Sequence, residues 1–282
     1  MDKIALLFAG QGAQFVGMGK EFYENSGPAR LVFENADRIL GLNLTEVCFG
    51  GPESKLTETS WCQPAIFVHG MAALAAIQAA RPDFQFQAAA GLSLGEFTAL
   101  TAAGWLSFND GLRIVRRRGE LMQQACGQSQ GTMASIIGMD TEALRLICEE
   151  AGVDLANLNC PGQIVISGEK EGIARAVLLA KEKGAKRVIP LTVAGAYHSR
   201  LMKSAAEQLE KELSVYSPEP SAISVVSNVT ALPHDAGHVK QRLVEQVTSS
   251  VRWEESMRYL IAQGFQKFIE LGPGEVLAGL MK

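Results

Sequence analysis

The chain has 282 residues, 47% of them hydrophobic and 20% charged, which is enough apolar material to bury one large core and a second small one. A formal net charge of -4 at pH 7 excludes the cationic excess of a nucleic-acid binder. Apolar stretches are broken by Gly, His, Gln or charges before the roughly 20 residues that a bilayer requires, so neither nucleic acid nor membrane is an expected partner.

Met1-Asp2-Lys3 leads straight into residues 4–8 without the basic segment, long apolar run and cleavage site of a secretory signal, so the expected compartment is the cytoplasm. Residues 4–8 predict a short buried strand, and Ala9-Gly10-Gln11-Gly12-Ala13-Gln14 carries too much glycine to extend it and predicts a loop. Helical patterns follow over residues 29–40 and 64–80, then residues 84–90 return as an apolar strand ending at Gly91. Residues 96–103 and 110–126 are again helical. Strands separated by helices imply a parallel α/β sheet. Between residues 127 and 193 the order becomes strand 132–138, helix 141–151, strands 154–159 and 163–167, helix 171–183 and strand 186–193. This βαββαβ series is that of a ferredoxin-like unit, expected as a subdomain over residues 127–194, inserted in a larger domain of residues 1–126 and 195–282. Beyond Tyr197 come helices, a strand at 223–228, a strand at 267–271 ending in Gly272-Pro273-Gly274, and a helical pattern at 276–281.

Gly91-Leu92-Ser93-Leu94-Gly95 stands between a predicted strand and a predicted helix, the setting in which Gly-x-Ser-x-Gly becomes a nucleophile elbow. The larger domain is therefore expected to be α/β-hydrolase-like, with Ser93 at the sheet edge and the Leu94 amide at a helix start facing the same spot. A serine hydroxyl needs a base, and the chain has four histidines. His69 falls in an apolar helical run and reads as a core histidine. His234 and His238 sit with Pro233 and Gly237 in a polar stretch, read as a solvated loop and not as metal ligands. His198, in the glycine-containing exit after strand 186–193, is the best candidate base.

On a helical wheel of residues 110–126, Ile114, Leu121, Met122 and Ala125 form one face and Arg113, Arg116, Arg117, Glu120 and Gln124 the other. Arg118 falls in the middle of the apolar face, whereas Arg116 and Arg117 read as solvated. A buried guanidinium demands an anion or equivalent hydrogen bonds. Either it pairs with an internal carboxylate such as Glu96, or its planar fork receives a substrate carboxylate. Cys48, Cys62, Cys126, Cys148 and Cys160 are an odd set without any Cys-x-x-Cys spacing, which argues against a disulfide framework and against zinc; no metal site is expected.

Taken together, Gly10-Gln11-Gly12-Ala13-Gln14, Gly91-Leu92-Ser93-Leu94-Gly95-Glu96, Arg118-Gly119 with Met122-Gln123, Asn159-Cys160-Pro161-Gly162-Gln163, His198-Ser199, Asn228-Val229 and Gly272-Pro273-Gly274 resemble the malonyl-CoA:acyl carrier protein transacylases of fatty acid and polyketide synthesis over nearly the whole chain. The resemblance implies malonyl transfer by ping-pong kinetics from malonyl-CoA, through an ester on Ser93, to the phosphopantetheine thiol of an acyl carrier protein, with no permanently bound cofactor. It implies His198 as base, the Gln11 and Leu94 amides as oxyanion hole, and Arg118 as the malonyl carboxylate ligand. The carbonyl of Gln246 would orient the histidine, and Met122, Asn159 and Gln163 are further candidates for lining the pocket. The chain departs from many members at Leu92, where they carry histidine, and a short tail beyond Lys282 is expected. An acyl hydrolase using the same serine and histidine, and a noncatalytic carrier-binding module on the same fold, are the competing readings.

Overall fold

The computed structural model describes residues 3–282. Strand β1 (Ile4–Phe8) is buried over its last four residues, and the glycine-rich loop begins at once behind it. Helices α1 (Lys20–Asn25) and α2 (Gly27–Leu40) follow. Ser26 caps α2 by accepting from the Ala29 amide, with proline in the first turn and Gly41 stopping the helix in the left-handed region. Two short helices, α3 (Leu44–Gly50) and α4 (Glu53–Leu56), turn the chain into α5 (Thr59–Ala80), which starts five residues earlier than the pattern predicts and holds Pro64 inside it. Pro64 has no N–H to give to the Ser60 carbonyl; Arg116 Nη1 donates to that oxygen instead, at 2.5 Å. Arg116 is thus half-buried and structural where solvation is expected from its wheel position.

Strand β2 (Ala88–Gly91), α6 (Leu94–Ala102) and α7 (Phe108–Gly127) complete the first half, α7 being capped by Ser107, whose Oγ accepts from the Asp110 amide at 3.1 Å. β2 is shorter than predicted because the Phe84 amide bonds the Arg81 carbonyl, closing a turn ahead of the ladder. α5 packs between α2 and α7. By length and composition α5 is apolar enough to cross a bilayer, which corrects the expectation that no stretch reaches that length; 72% of its most apolar window is buried in this core.

The middle of the chain forms β3 (Gly131–Ile137), α8 (Thr141–Ala151), β4 (Asp154–Cys160), β5 (Gln163–Glu169), α9 (Lys170–Glu182) and β6 (Arg187–Pro190). The strands make an antiparallel sheet in the order β4-β5-β3-β6, the ferredoxin-like arrangement. Asp140 caps α8 through two amides and Gly152 ends it. One face of the sheet buries Ala134, Ile136, Ile164 and Ile166 under α8 and α9, while Met133, Ala156 and Val165 on the other face join the main core. The chain then returns through α10 (Lys203–Leu213), β7 (Ser224–Val225), α11 (Val239–Glu245), α12 (Trp253–Ala262), β8 (Lys267–Leu271) and α13 (Val276–Leu280). β7 pairs over two residues only. Val226 already bridges Pro233, and the Ser227 amide bonds the Leu232 carbonyl, so a hairpin turn replaces the longer strand predicted there.

The second sheet, β7-β2-β1-β8, is parallel throughout. Leu6 and Phe8 face the helices of the main core, whereas Ala5 and Leu7 face a second cluster with Trp253, Met257 and Leu260, so both faces are covered. In the register Phe8 lies opposite both Gly91 and Leu271. The loops after β1, β2 and β8 therefore leave from one carboxyl edge, where ligands of open α/β sheets bind.

Candidate active site

Gly91 and Gly95 let the elbow form. A Cβ on Gly91 would overlap the Gly95 carbonyl, and one on Gly95 would overlap the Phe8 carbonyl, so no other residue fits between β2, α6 and β1. Between them Ser93 is held at φ 54°, in the left-handed region that a non-glycine residue occupies at an energetic cost. A clamp maintains it: Asn228 Oδ1 accepts from the Ser93 amide at 2.7 Å and Asn228 Nδ2 donates to the Gly91 carbonyl at 2.8 Å. Ser93 as a residue is half-buried, and Leu94 opens α6, so its N–H belongs to the first turn that lacks intrahelical acceptors.

His198, itself at φ 55°, brings Nε2 to 2.7 Å from Ser93 Oγ, and its Nδ1 lies 2.8 Å from the Gln246 carbonyl oxygen. With that carbonyl as acceptor, Nδ1 carries the proton and Nε2 is left as the acceptor that a serine base needs. Burial, followed by the nearby Arg118 charge, lowers the His198 pKa from 6.5 to about 4, so the ring is neutral at physiological pH. His69, buried against Phe22, is lowered to about 4 by burial as well. For both rings the fold favours the neutral form. Their contribution to stability is complete above pH 6.5 and disappears as the pH falls through about 4. The acid limb of kcat/KM is accordingly expected near pH 4, measured with circular dichroism on the same samples; a limb near 6.5 would contradict the burial of His198.

Arg118 on α7 is 1% exposed. Gly119 beside it lets α7 approach the start of α5, since a Cβ there would come within 2.7 Å of the Thr59 carbonyl oxygen. Arg118 Nη1 donates to Gln63 Oε1 at 2.6 Å, and Nη2 donates to Gln246 Oε1 at 2.8 Å and to Ser93 Oγ at 3.0 Å. The ring of Phe97 lies 5.2 Å from the guanidinium carbon, and Nε is buried without a hydrogen-bond partner. Burial lowers its pKa to about 10, opposed by the charge of Glu96, which leaves it a cation at neutral pH. Glu96 does not touch it: the carboxamide of Gln246 stands between, giving Nε2–H to Glu96 Oε2 at 2.5 Å.

Among the other sequence candidates, Gln11 is tied through its side chain to Thr59 Oγ1 at 3.2 Å, and Thr59 is in turn bonded to the Tyr197 hydroxyl at 2.5 Å, next to His198. Met122 is buried with Sδ 3.5 Å from Gln63 Nε2, so it backs the residue that holds Arg118. Asn159 and Gln163 lie at the β4–β5 turn; among the described residues, no hydrogen bond of theirs reaches Ser93, His198 or Arg118. His238 is exposed and paired with Asp235, as a loop residue would be. His234 is not: it is buried, with Nε2 2.6 Å from Glu96 Oε1, because residues 226–233 fold back as a hairpin that carries it into the core. Asn228, Gln63 and the side chain of Gln246 are site residues to which the sequence assigns no role, although Asn228 stands in one of the motifs that carry the resemblance. Each is an amide polarised by partners far away in sequence, and Gln63 falls one residue ahead of the helix predicted from residue 64, inside the helix that the structure starts at Thr59.

The family model described as "acyl transferase domain" matches residues 5–282. A malonyl CoA-acyl carrier protein transacylase of Bacillus subtilis is 49% identical over 290 residues, which cover 100% of this chain and 90% of that protein. Its counterpart in Staphylococcus aureus is 42% identical, with 100% and 92% covered. Among solved structures, an acyl carrier protein S-malonyltransferase of Vibrio cholerae superposes with a TM-score of 0.95 at 39% identity, covering 99% of this chain and 93% of that one. A malonyl-transacylase solved in complex with its type II PKS acyl-carrier protein also gives 0.95, at 36% identity, with 99% and 92% covered.

Proposed function

This chain belongs to the acyl transferase domain family, and on that premise we propose that it moves a malonyl group from CoA to the phosphopantetheine thiol of an acyl carrier protein through an ester on Ser93. The observation that carries the reading is the buried Arg118 cation, with an unpartnered Nε–H, 3.0 Å from the nucleophile. A donor fork that close to the acylated oxygen recognises the far carboxylate of a three-carbon diacid while the near carbonyl sits on Ser93. A simple acyl chain would leave the same charge without an anion.

His198 Nε2 takes the Ser93 proton as Oγ adds to the thioester carbonyl, and the resulting oxyanion is received by the Gln11 and Leu94 amides. Collapse breaks the carbon–sulfur bond, and the imidazolium returns its proton to the departing CoA sulfur. The carrier thiol then repeats the sequence in reverse: His198 deprotonates it, the thiolate adds to the ester carbonyl, and Ser93 leaves with the proton. Gln246 and Gln63 position the base and the fork, and Asn228 holds the elbow. Every proton and charge is handled by side chains and amides, so the transfer calls for no permanently bound cofactor. Both substrates are charged and hydrophilic and cross no bilayer unaided, so enzyme and substrates share one compartment, for which the cytoplasm is our reading.

The two sheets support reading residues 127–194 as a unit inserted into residues 1–126 and 195–282. The two crossings pass side by side, a Cβ on Gly195 coming within 2.9 Å of Cys126 Cβ. Met133, Ala156 and Val165 seat the insert on the larger unit.

Incubation with malonyl-CoA alone should give one malonyl adduct by intact mass, discharged on addition of holo acyl carrier protein. Steady release of malonate without carrier would make the protein a hydrolase, and the lack of any adduct would make it a binding module.

A further inference from the structure

We propose that Glu96 and His234 act as a positioning pair that sets both the carboxylate fork and the base through Gln246. Glu96, on the first turn of α6, is a fully buried carboxylate, with Oε2 taken by Gln246 Nε2 at 2.5 Å and Oε1 by His234 Nε2 at 2.6 Å. His234 Nδ1 is buried with no partner, so the proton sits on Nε2 and the ring donates to the carboxylate. The Trp105 ring packs against it at 6.4 Å.

Gln246 turns this contact into a function for the site. Its carboxamide has a cation on one side and a carboxylate on the other, and reversal would set NH2 against the guanidinium and oxygen against Glu96. Glu96 therefore fixes which end of the amide meets Arg118. That end accepts from Nη2, the same nitrogen that reaches Ser93 Oγ. The backbone oxygen of the same glutamine holds His198, and its Nε2 also donates to the Ser93 carbonyl at 2.9 Å. Nucleophile, base and fork are joined at one residue whose orientation depends on a carboxylate that His234 locks in place. Without the imidazole donor, Glu96 Oε1 is left buried and unpaired, and the carboxylate can satisfy it only by turning away from Gln246.

This inference rests on the roles proposed above for Arg118 and His198. Its test compares His234→Phe, which keeps the ring packing but removes the donor, with His234→Gln, whose amide N–H can replace it. Malonyl and acetyl transfer are followed by kcat and KM, alongside thermal unfolding. His234→Phe is expected to lower malonyl kcat/KM by about tenfold or more and to reduce the malonyl-over-acetyl ratio, while His234→Gln recovers most of both. A merely structural histidine would change the folded fraction, scaling both donors equally and keeping the ratio. A folded Phe variant with an unchanged ratio, or a Gln variant with the same altered ratio as Phe, overturns the pair. Should the Phe variant not fold, Glu96→Gln decides from the other end: a lowered ratio supports the pair and an unchanged one rejects it. Failure of the wild-type protein to form a malonyl adduct is a separate result and would sink the transferase reading itself.

Discussion

Ser93→Ala is expected to abolish the malonyl adduct and to lower transfer to the carrier by at least ~10⁴-fold, the scale at which removal of a serine nucleophile acts elsewhere. The loss should be chemical and not structural. The elbow is clamped by Asn228 through the Ser93 amide and the Gly91 carbonyl, and neither bond involves the hydroxyl. Alanine meets a similar backbone cost at φ 54°, and of the two groups that lose Oγ, the donor Arg118 Nη2 keeps Gln246 Oε1 and the acceptor His198 Nε2 lies beside a residue that is only half-buried. The unfolding temperature should stay close to wild type. Intact mass after incubation with malonyl-CoA is the measurement; an adduct on this variant would move the nucleophile to another residue and with it the whole assignment of the base.

Local pattern was enough wherever a residue's state depends on its near neighbours. The apolar run of β1 and the amphipathic α8 between Asp140 and Gly152 have the bounds that their sequences imply, and the burial of Arg118 follows from its angle on α7. What periodicity reports is which side of an element is covered, never by what. The polar contacts of the site join residues 135 apart in the case of Ser93 and Asn228 and 128 apart for Arg118 and Gln246, so neither pairing leaves a local trace. The same limit explains His234. Its neighbours Pro233, Asp235 and Gly237 are turn formers, and they do build a turn, but the turn points its histidine at a carboxylate 138 residues away. Pro64 and Arg116 tell a similar story: a proline suggests a helix start, and only the distant guanidinium that satisfies Ser60 lets the helix begin earlier.

Arg118→Ala should lower malonyl kcat/KM by about 10²–10³-fold, the range for losing two charge-assisted hydrogen bonds to a carboxylate, and should leave acetyl transfer far less affected. The contrast between donors is what matters, because the substitution also disturbs the free enzyme. It strips Gln63 Oε1 and Gln246 Oε1 of their donor and leaves Glu96 without the opposing charge that now lies one amide away. Those losses act on every donor alike. Only the diacid loses a partner for its far end as well, so the malonyl-over-acetyl ratio isolates the contact. Arg118→Lys sharpens the test: it restores a positive charge but not a planar fork, and should recover binding more than selectivity. If the ratio is unchanged in a folded Ala variant, the guanidinium serves only to tie α7 to Gln63 and Gln246, and recognition of the acidic end of the substrate has to come from elsewhere in the pocket.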